Sequence, residues 1–295
     1  INFKSINTVP LQYIQVTSDL SNIILDHDIQ NSTNYDSNAY SVFQSVLAFK
    51  GTNDNIQRNA SLLQLNPSLN PSKFSVIFED FYNGISSLTS GFVASNSGTG
   101  ASSTGVQTPV DITEVGIVRS QTGTTSTGRA AIFNSGNAIR LGNNNFYYSQ
   151  RSRVAGALST PTERFFLRYG LMNAVTGGAN EPTRGIYFRA IDNENGGNWV
   201  CVCRTANIET VINTSVTPSN STYNTHSFIY RFGIGVEFFI NGISLGIIST
   251  NIPTGVGNEN GVAANYIAKT VGTGARNSDV DYVFTIYELI NTTRY

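Results

Sequence analysis

Short runs of Val, Ile, Thr, Phe and Tyr, punctuated by Gly, Asn and Pro every 8–14 residues, set the rhythm of this chain. That is the signature of strands and turns. Recurrence at i, i+3, i+4 and i+7 is nearly absent, so the pattern predicts an all-β chain. Strands are expected at 74–81, 111–119, 129–134, 138–142, 145–149, 164–172, 185–191, 198–204, 208–213, 226–232, 235–240, 243–249, 262–270 and 280–290. The best helical candidate, Tyr40–Phe49, is short and reads equally as a strand. In VEFFINGISLGII the pair Asn241-Gly242 suits a two-residue loop with positive φ at both positions, which predicts a tight hairpin. In the run from Trp199 to Arg204, one face carries Trp199, Cys201 and Cys203 and the other Val200, Val202 and Arg204. A strand apolar on both faces belongs inside a sandwich.

The segment LNPSLNPS at Leu65–Ser72 carries two Asn-Pro pairs. Each proline removes a ladder donor and pushes the residue before it out of the helical region. This predicts an N-terminal segment over 1–65, an extended linker over 66–73 and a β-sandwich over 74–295. Near the lower size limit for independent folding, residues 1–65 are expected to pack on a partner. Ser95–Gln107, low in complexity, reads as a surface loop or a flexible excursion.

Composition narrows the function classes. The 295 residues carry a formal charge of −1 with only 13% charged side chains, and 34 are Asn. Neutral amides and hydroxyls do the solvating, as suits an extracellular or particle surface. The basic residues are scattered, which disfavours nucleic acid. No window reaches the apolar length of a membrane span, so the chain reads as soluble. It opens on Ile1 with its one methionine at Met172, so either a leader has been removed or the ends are not those of the gene.

Four stretches carry a resemblance to a known fold: FEDF at Phe78–Phe81; Glu163–Met172 followed by Arg184–Thr205; Val236–Gly255; and DVDYVFTIYEL at Asp279–Leu289. In this order they resemble the concanavalin-A-like lectin/glucanase jelly roll in the form met in bacteriophage virion proteins. The resemblance implies an all-β sandwich whose first and last strands are neighbours. It also implies a virion-surface protein of decoration, head-fibre or tail-fibre type, with residues 1–65 docking on other virion proteins, a homotrimeric assembly, and possible glycan binding. The alternative is a carbohydrate-binding module or degenerate β-glycan hydrolase.

Relatives that hydrolyse β-glucans carry three carboxylates on one strand, two of which act as nucleophile and acid. This sequence has no such run. Glu79 and Asp80 are adjacent and point to opposite faces of a strand; Asp192 and Glu194 sit in a Gly/Asn-rich turn; Asp279 and Asp281 share a face without a third member. No enzyme activity, catalytic residue, cofactor or metal ligand set is therefore expected. His27 and His226 fit no metal or nucleophile spacing, and one Cys-x-Cys cannot complete a tetrahedral site. The loop Asp192–Asn198 (DNENGGN) offers hard oxygens from Asp192, Asn193, Glu194 and Asn195 for calcium, but the flanking strands already demand a turn there. Asn-x-Ser/Thr sequons at Asn31, Asn59, Asn213, Asn220 and Asn291 count only in a eukaryotic source.

Overall fold

The computed structural model describes residues 74–81, 91–105, 116–134, 138–173, 181–192 and 194–290. The N-terminal segment 1–65, the linker 66–73 and Tyr40–Phe49 lie outside them. Apart from Phe74, with which the first strand begins, the described residues all belong to the unit Ser75–Tyr295. Fifteen strands appear: β1 (Phe74–Glu79), β2 (Phe92–Ser97), β3 (Ser102–Gly105), β4 (Val118–Gln121), β5 (Arg129–Asn134), β6 (Asn144–Ala155), β7 (Arg164–Met172), β8 (Gly185–Ile191), β9 (Val200–Thr205), β10 (Ile208–Asn213), β11 (Asn224–Arg231), β12 (Gly235–Ile240), β13 (Ile243–Ile248), β14 (Gly261–Val271) and β15 (Asn277–Leu289). One 3-10 turn, Asn195–Gly197, is the only helical element among the described residues.

The strands form two antiparallel sheets. One has eight strands in the order β13-β12-β11-β6-β15-β4-β3, with β1 also pairing β15; the other has seven in the order β10-β9-β8-β7-β14-β5-β2. The first and last described strands are thus neighbours, the arrangement of a concanavalin-A-like jelly-roll sandwich.

Alternation along each strand builds the core. Phe165, Leu167, Tyr169 and Leu171 of β7 pack with Phe146 and Tyr148 of β6 and Phe228 of β11 between the sheets. Phe166 and Met172 fall on the opposite face, beside Tyr187, Val200, Val202 and Tyr266. The middle of the seven-stranded sheet, β7, β8, β9 and β14, is therefore buried on both faces, and the expected split of Trp199, Cys201 and Cys203 from Val200 and Val202 holds. Asn241 and Gly242 take φ of 51° and 78° and close the β12–β13 hairpin.

Four expectations need correction. First, Ser95–Gly105 is no loop: it holds the end of β2, a tight turn and β3, and carries the chain from one sheet to the other. Small hydroxyls replace apolar packing there, with Ser103 Oγ donating to Asn96 Oδ1 at 2.8 Å and lying 3.2 Å from Ser120 Oγ. Gln107 lies outside the described residues. Second, 138–142 makes only the isolated bridges Ile139–Asn260 and Leu141–Thr254. Third, the strand expected at 145–149 runs on to Ala155. The polar run Gln150–Arg153 hides it, because Gln150 and Ser152 face inward while Arg151 and Arg153 face outward to carboxylates. Inside, Tyr148 donates to Gln150 Oε1, Tyr169 Oη lies 3.0 Å from Ser278 Oγ, and Asn265 Nδ2 donates to the Ser278 carbonyl at 3.2 Å. Fourth, of the strand expected at 111–119, only Val118 and Arg119 are in β4; 111–115 lie outside the described residues.

Gly170 interrupts an otherwise bulky β7 for a steric reason. Its φ is 135°, and a Cβ there would stand 2.5 Å from the Ile186 carbonyl oxygen and 2.8 Å from Tyr187 Cα. Those neighbours are backbone atoms of β8 and cannot swing aside. Gly170→Ala is expected to destabilise the domain by about 3 kcal/mol through strain and overpacking, read as a lowered midpoint in denaturant melts.

Candidate functional site

The face of the seven-stranded sheet turned away from the eight-stranded one gathers charge in a setting that is otherwise apolar. Arg168 of β7 and Arg189 of β8 stand directly opposite each other in the strand register. Like charges so placed repel. Glu181, just before β8, resolves the conflict: its Oε1 accepts from Arg168 Nη2 at 2.5 Å, while its Oε2 lies 3.3 Å from Arg189 Nη1 and accepts the Tyr187 hydroxyl at 2.7 Å. Arg189 is then filled from the other side. Its Nε donates to Glu194 Oε2 at 2.8 Å, its Nη2 also donates to Glu194, and Nη1 and Nη2 reach the two oxygens of Glu209 at 3.1 Å each. Arg204 of β9 completes the group by donating to Glu209 Oε2 at 2.7 Å.

Three guanidiniums thus balance three carboxylates. Burial alone would raise the Glu209 carboxyl, but the hydrogen bonds and charge of Arg189 and then Arg204 outweigh it and hold its pKa below the ordinary value. Burial pushes the Tyr187 hydroxyl well up, and the Glu181 charge adds to that. Arg168 also lies 4.2 Å from the Phe166 ring centroid, a stacking contact in a nearly water-free position. A general acid needs a carboxyl that keeps its proton near neutrality. Glu209 is tuned the opposite way.

A second network occupies the outward face of the eight-stranded sheet. Asp279 of β15, fully buried, accepts from Arg119 of β4 in bidentate fashion at 2.7 and 2.9 Å and from Arg153 of β6 at 3.2 and 3.3 Å. Asp281 pairs with Arg151 at 2.6 Å. The Tyr223 ring lies 4.5 Å from both the Arg151 and Arg153 guanidiniums. Both carboxylates of the pair read from the sequence, Asp279 and Asp281, are therefore engaged by arginine.

The remaining sequence candidates disperse. Glu79 ends β1 and its Oε1 accepts the Phe81 amide at 2.8 Å, so Glu79 and the adjacent Asp80 do not form a pair across one strand. Asp192 meets Arg164 at 3.1 Å and Glu194 meets Arg189, which sends the two toward different cations. In the loop considered for calcium, Asn195, Gly196 and Gly197 all have positive φ, and Asn195 Nδ2 donates to the Trp199 and Thr214 carbonyls at 3.3 and 2.7 Å. That is turn chemistry; Asn193 lies outside the described residues. Cys201 and Cys203 are buried free thiols whose pKa values burial drives up. Trp199 is buried against Tyr169 and His226 and offers no face to a sugar. Asn213 ends β10 and Asn220 Nδ2 donates to the Gly156 carbonyl at 3.0 Å; Asn31, Asn59, Asn291 and His27 lie outside the described residues. Sequence reasoning missed the Arg189 cluster. The available signal was a lone arginine inside each of three apolar strands, FFLRYG, IYFRAI and VCVCRT.

His226 sits in the core with Trp199, Tyr169 and Phe188 ring centroids 4.5, 5.2 and 5.1 Å away, and with Ser152 Oγ 3.4 Å from Nδ1. Burial lowers its pKa to about 3, against a small opposing effect of the Asn224 backbone. The unfolded chain takes up this proton below about pH 6.5 and the folded chain only near 3. Stability is therefore whole above 6.5 and falls between 6.5 and 3, by about 1.4 kcal/mol per pH unit. His226→Leu is expected to flatten the pH 6.5 to 5 part of the curve, where carboxylates contribute little, as read by urea melts at stepped pH.

Comparison with known proteins adds fold and family. The domain is similar to SO2946, a protein of unknown function from Shewanella oneidensis MR-1, with a TM-score of 0.55 and 11% identity over 79% of this chain and 94% of that one. It is more distantly similar to an endo-1,3-beta-glucanase from Streptomyces sioyaensis (TM-score 0.48, 11% identity, 75% and 99% covered). The carbohydrate recognition domain of Emp46p gives a TM-score of 0.46 at 6% identity, covering 70% and 94%. No curated protein matches the chain. Residues 113–281 match the family described as SO2946-like, C-terminal domain, a match over more than half the chain, and the chain accordingly belongs to that family.

Proposed function

We propose that this chain is a non-enzymatic structural protein of a bacteriophage particle, a capsid decoration, head-fibre or tail-fibre subunit that displays a jelly-roll domain at the virion surface. Residues 1–65 dock it on other virion proteins and contribute to a homotrimer. The particle context rests on the resemblance of the four ordered stretches to virion jelly rolls. The non-enzymatic part rests on one observation: the paired carboxylates that glycoside hydrolysis would require are spent on arginine. Asp279 is held by two guanidiniums, Asp281 by one, and Glu209 by two. With their oxygens taken up by guanidiniums, these carboxylates are not set out as a free nucleophile and acid pair, which supports the non-enzymatic reading.

Glycan binding fits the same domain through the amides and hydroxyls of its surface. A degenerate β-glycan hydrolase is the competing reading. Incubating the full chain with β-glucans and host polysaccharides is expected to release no reducing ends. Release that disappears in the Asp279→Asn or Asp281→Asn variant would establish the hydrolase instead. For the docking role, the chain lacking residues 1–65 is expected to lose co-sedimentation with particles, and undiminished association overturns that assignment.

A further inference from the structure

Between β14, in the seven-stranded sheet, and β15, in the eight-stranded one, the chain crosses through Gly272–Arg276. A short turn commonly closes on a backbone hydrogen bond of its own. This one has none: no backbone bond joins residues 272–276 to one another. Its polar groups go elsewhere. The Arg276 N–H donates to Thr122 Oγ1 at 3.0 Å, the Arg276 carbonyl accepts the Thr122 N–H at 2.9 Å, and Lys269 Nζ donates to the Gly274 carbonyl at 3.3 Å. The two N–H groups at the apex share one acceptor: Thr273 N donates to Glu163 Oε1 at 3.1 Å and Gly274 N to Glu163 Oε2 at 2.8 Å.

Successive backbone N–H groups aimed at one anion form a nest. Here both partners are shaped for the contact. Glu163 stands just ahead of β7, in a turn where its N–H donates to the Thr160 carbonyl at 3.2 Å and its carbonyl accepts the Thr160 N–H at 2.9 Å. Gly272, with φ of 86°, lets the crossover close on it, since a Cβ there would stand 2.3 Å from Glu163 Oε2 and 2.5 Å from the Thr162 carbonyl oxygen. Charge points the same way. Lys269 and Arg276 are 3% and 8% exposed, and neither forms an ion pair among the described residues. A Cβ on Gly274 would lie 3.0 Å from Glu163 Oε2 and 3.3 Å from Arg276 Nη1, so the carboxylate and the guanidinium converge there. The Gly274 amide, opposed by desolvation and aided by the Thr273 amide and the charges of Arg276 and Lys269, holds the Glu163 carboxyl below its ordinary range.

We propose that the β14–β15 crossover is an anion-binding nest that the chain fills with its own Glu163 carboxylate, and that a small free carboxylate takes the same place once that side chain is removed. Without Glu163 the nest keeps two N–H donors with no acceptor and two buried cations with no anion beside them. Stranding buried donors and charges is destabilising, so binding of an anion there favours the folded state. Two N–H groups addressing two oxygens select a planar carboxylate over a spherical ion. Glu163 thus acts as an internal ligand at the place where one sheet is tied to the other.

The test melts the full chain and its Glu163→Ala variant at constant ionic strength in sodium chloride, with increasing formate, and with formamide as the neutral control of similar shape. The variant is expected to melt below the wild type and to regain part of the difference as formate approaches saturation, while the wild type moves little and formamide restores nothing. Equal effects of formate on both chains overturn the proposal. So does a lowered midpoint that formate leaves untouched, or a variant that melts like the wild type. Should Glu163→Ala fail to fold under all conditions, Glu163→Gln keeps the shape without the charge and amide hydrogen exchange decides. Faster exchange at Thr273 and Gly274 than in the wild type is then expected, and unchanged exchange overturns the assignment.

Discussion

Taking a guanidinium out of water costs several kcal/mol unless a carboxylate goes with it. In a chain with so few charged side chains, that constraint governs where both sheets can close. Arg168 and Arg189 are almost fully buried on a sheet face lined by Phe166, Tyr187 and Tyr266, and they face each other across β7 and β8. The sheet holds there because Glu181, Glu194 and Glu209 converge on them from three segments of chain. Asp279 does the same service in the other sheet by joining β4, β6 and β15. The ion pairs therefore fix which strands are neighbours, while the apolar alternation fixes which face is in.

The interior adds a second polar layer. Tyr148, Gln150, Ser152, Tyr169, His226, Asn265 and Ser278 lie between the sheets, where hydrogen bonds act in a low dielectric and register errors leave groups stranded. A slip of β6 by one residue would send Gln150 and Ser152 outward and Arg151 and Arg153 into the aromatic core. This layer specifies the pairing of β6 with β11 and β15 more sharply than Val, Ile and Phe alone could.

That layer also explains what was legible in the sequence. Strands rich in Val, Ile, Phe and Tyr, such as β7, β8, β10 and β12, appear with the bounds that their composition predicts, and the Asn241-Gly242 hairpin follows from turn chemistry. β2, β3 and the second half of β6 escape because their strand character lies in hydroxyl ladders and ion pairs, which have no hydropathy period. The Arg189 cluster escapes for a related reason: Arg168, Glu181, Arg189, Glu194, Arg204 and Glu209 meet only when β7 to β10 are laid side by side. What the chain does show locally is the absence of a three-carboxylate strand, since that motif would lie within five or six consecutive residues.

The placement of β15 bears on how the domain is made. It is the last described strand in sequence, yet it occupies the middle of the eight-stranded sheet, pairing with β6 over nearly its whole length and with β4 and β1. A chain emerging from the ribosome has β1, β4 and β6 in hand long before the strand that unites them. Until then β6 has only β11 as a partner, and aromatic rows destined for the interior remain open to water and to other nascent chains. Such non-local closure makes folding slow and concentrates the aggregation hazard in the interval before β15 arrives. A surface rich in uncharged amides and hydroxyls does little to deter that encounter, so the yield of native protein depends on how quickly β15 inserts.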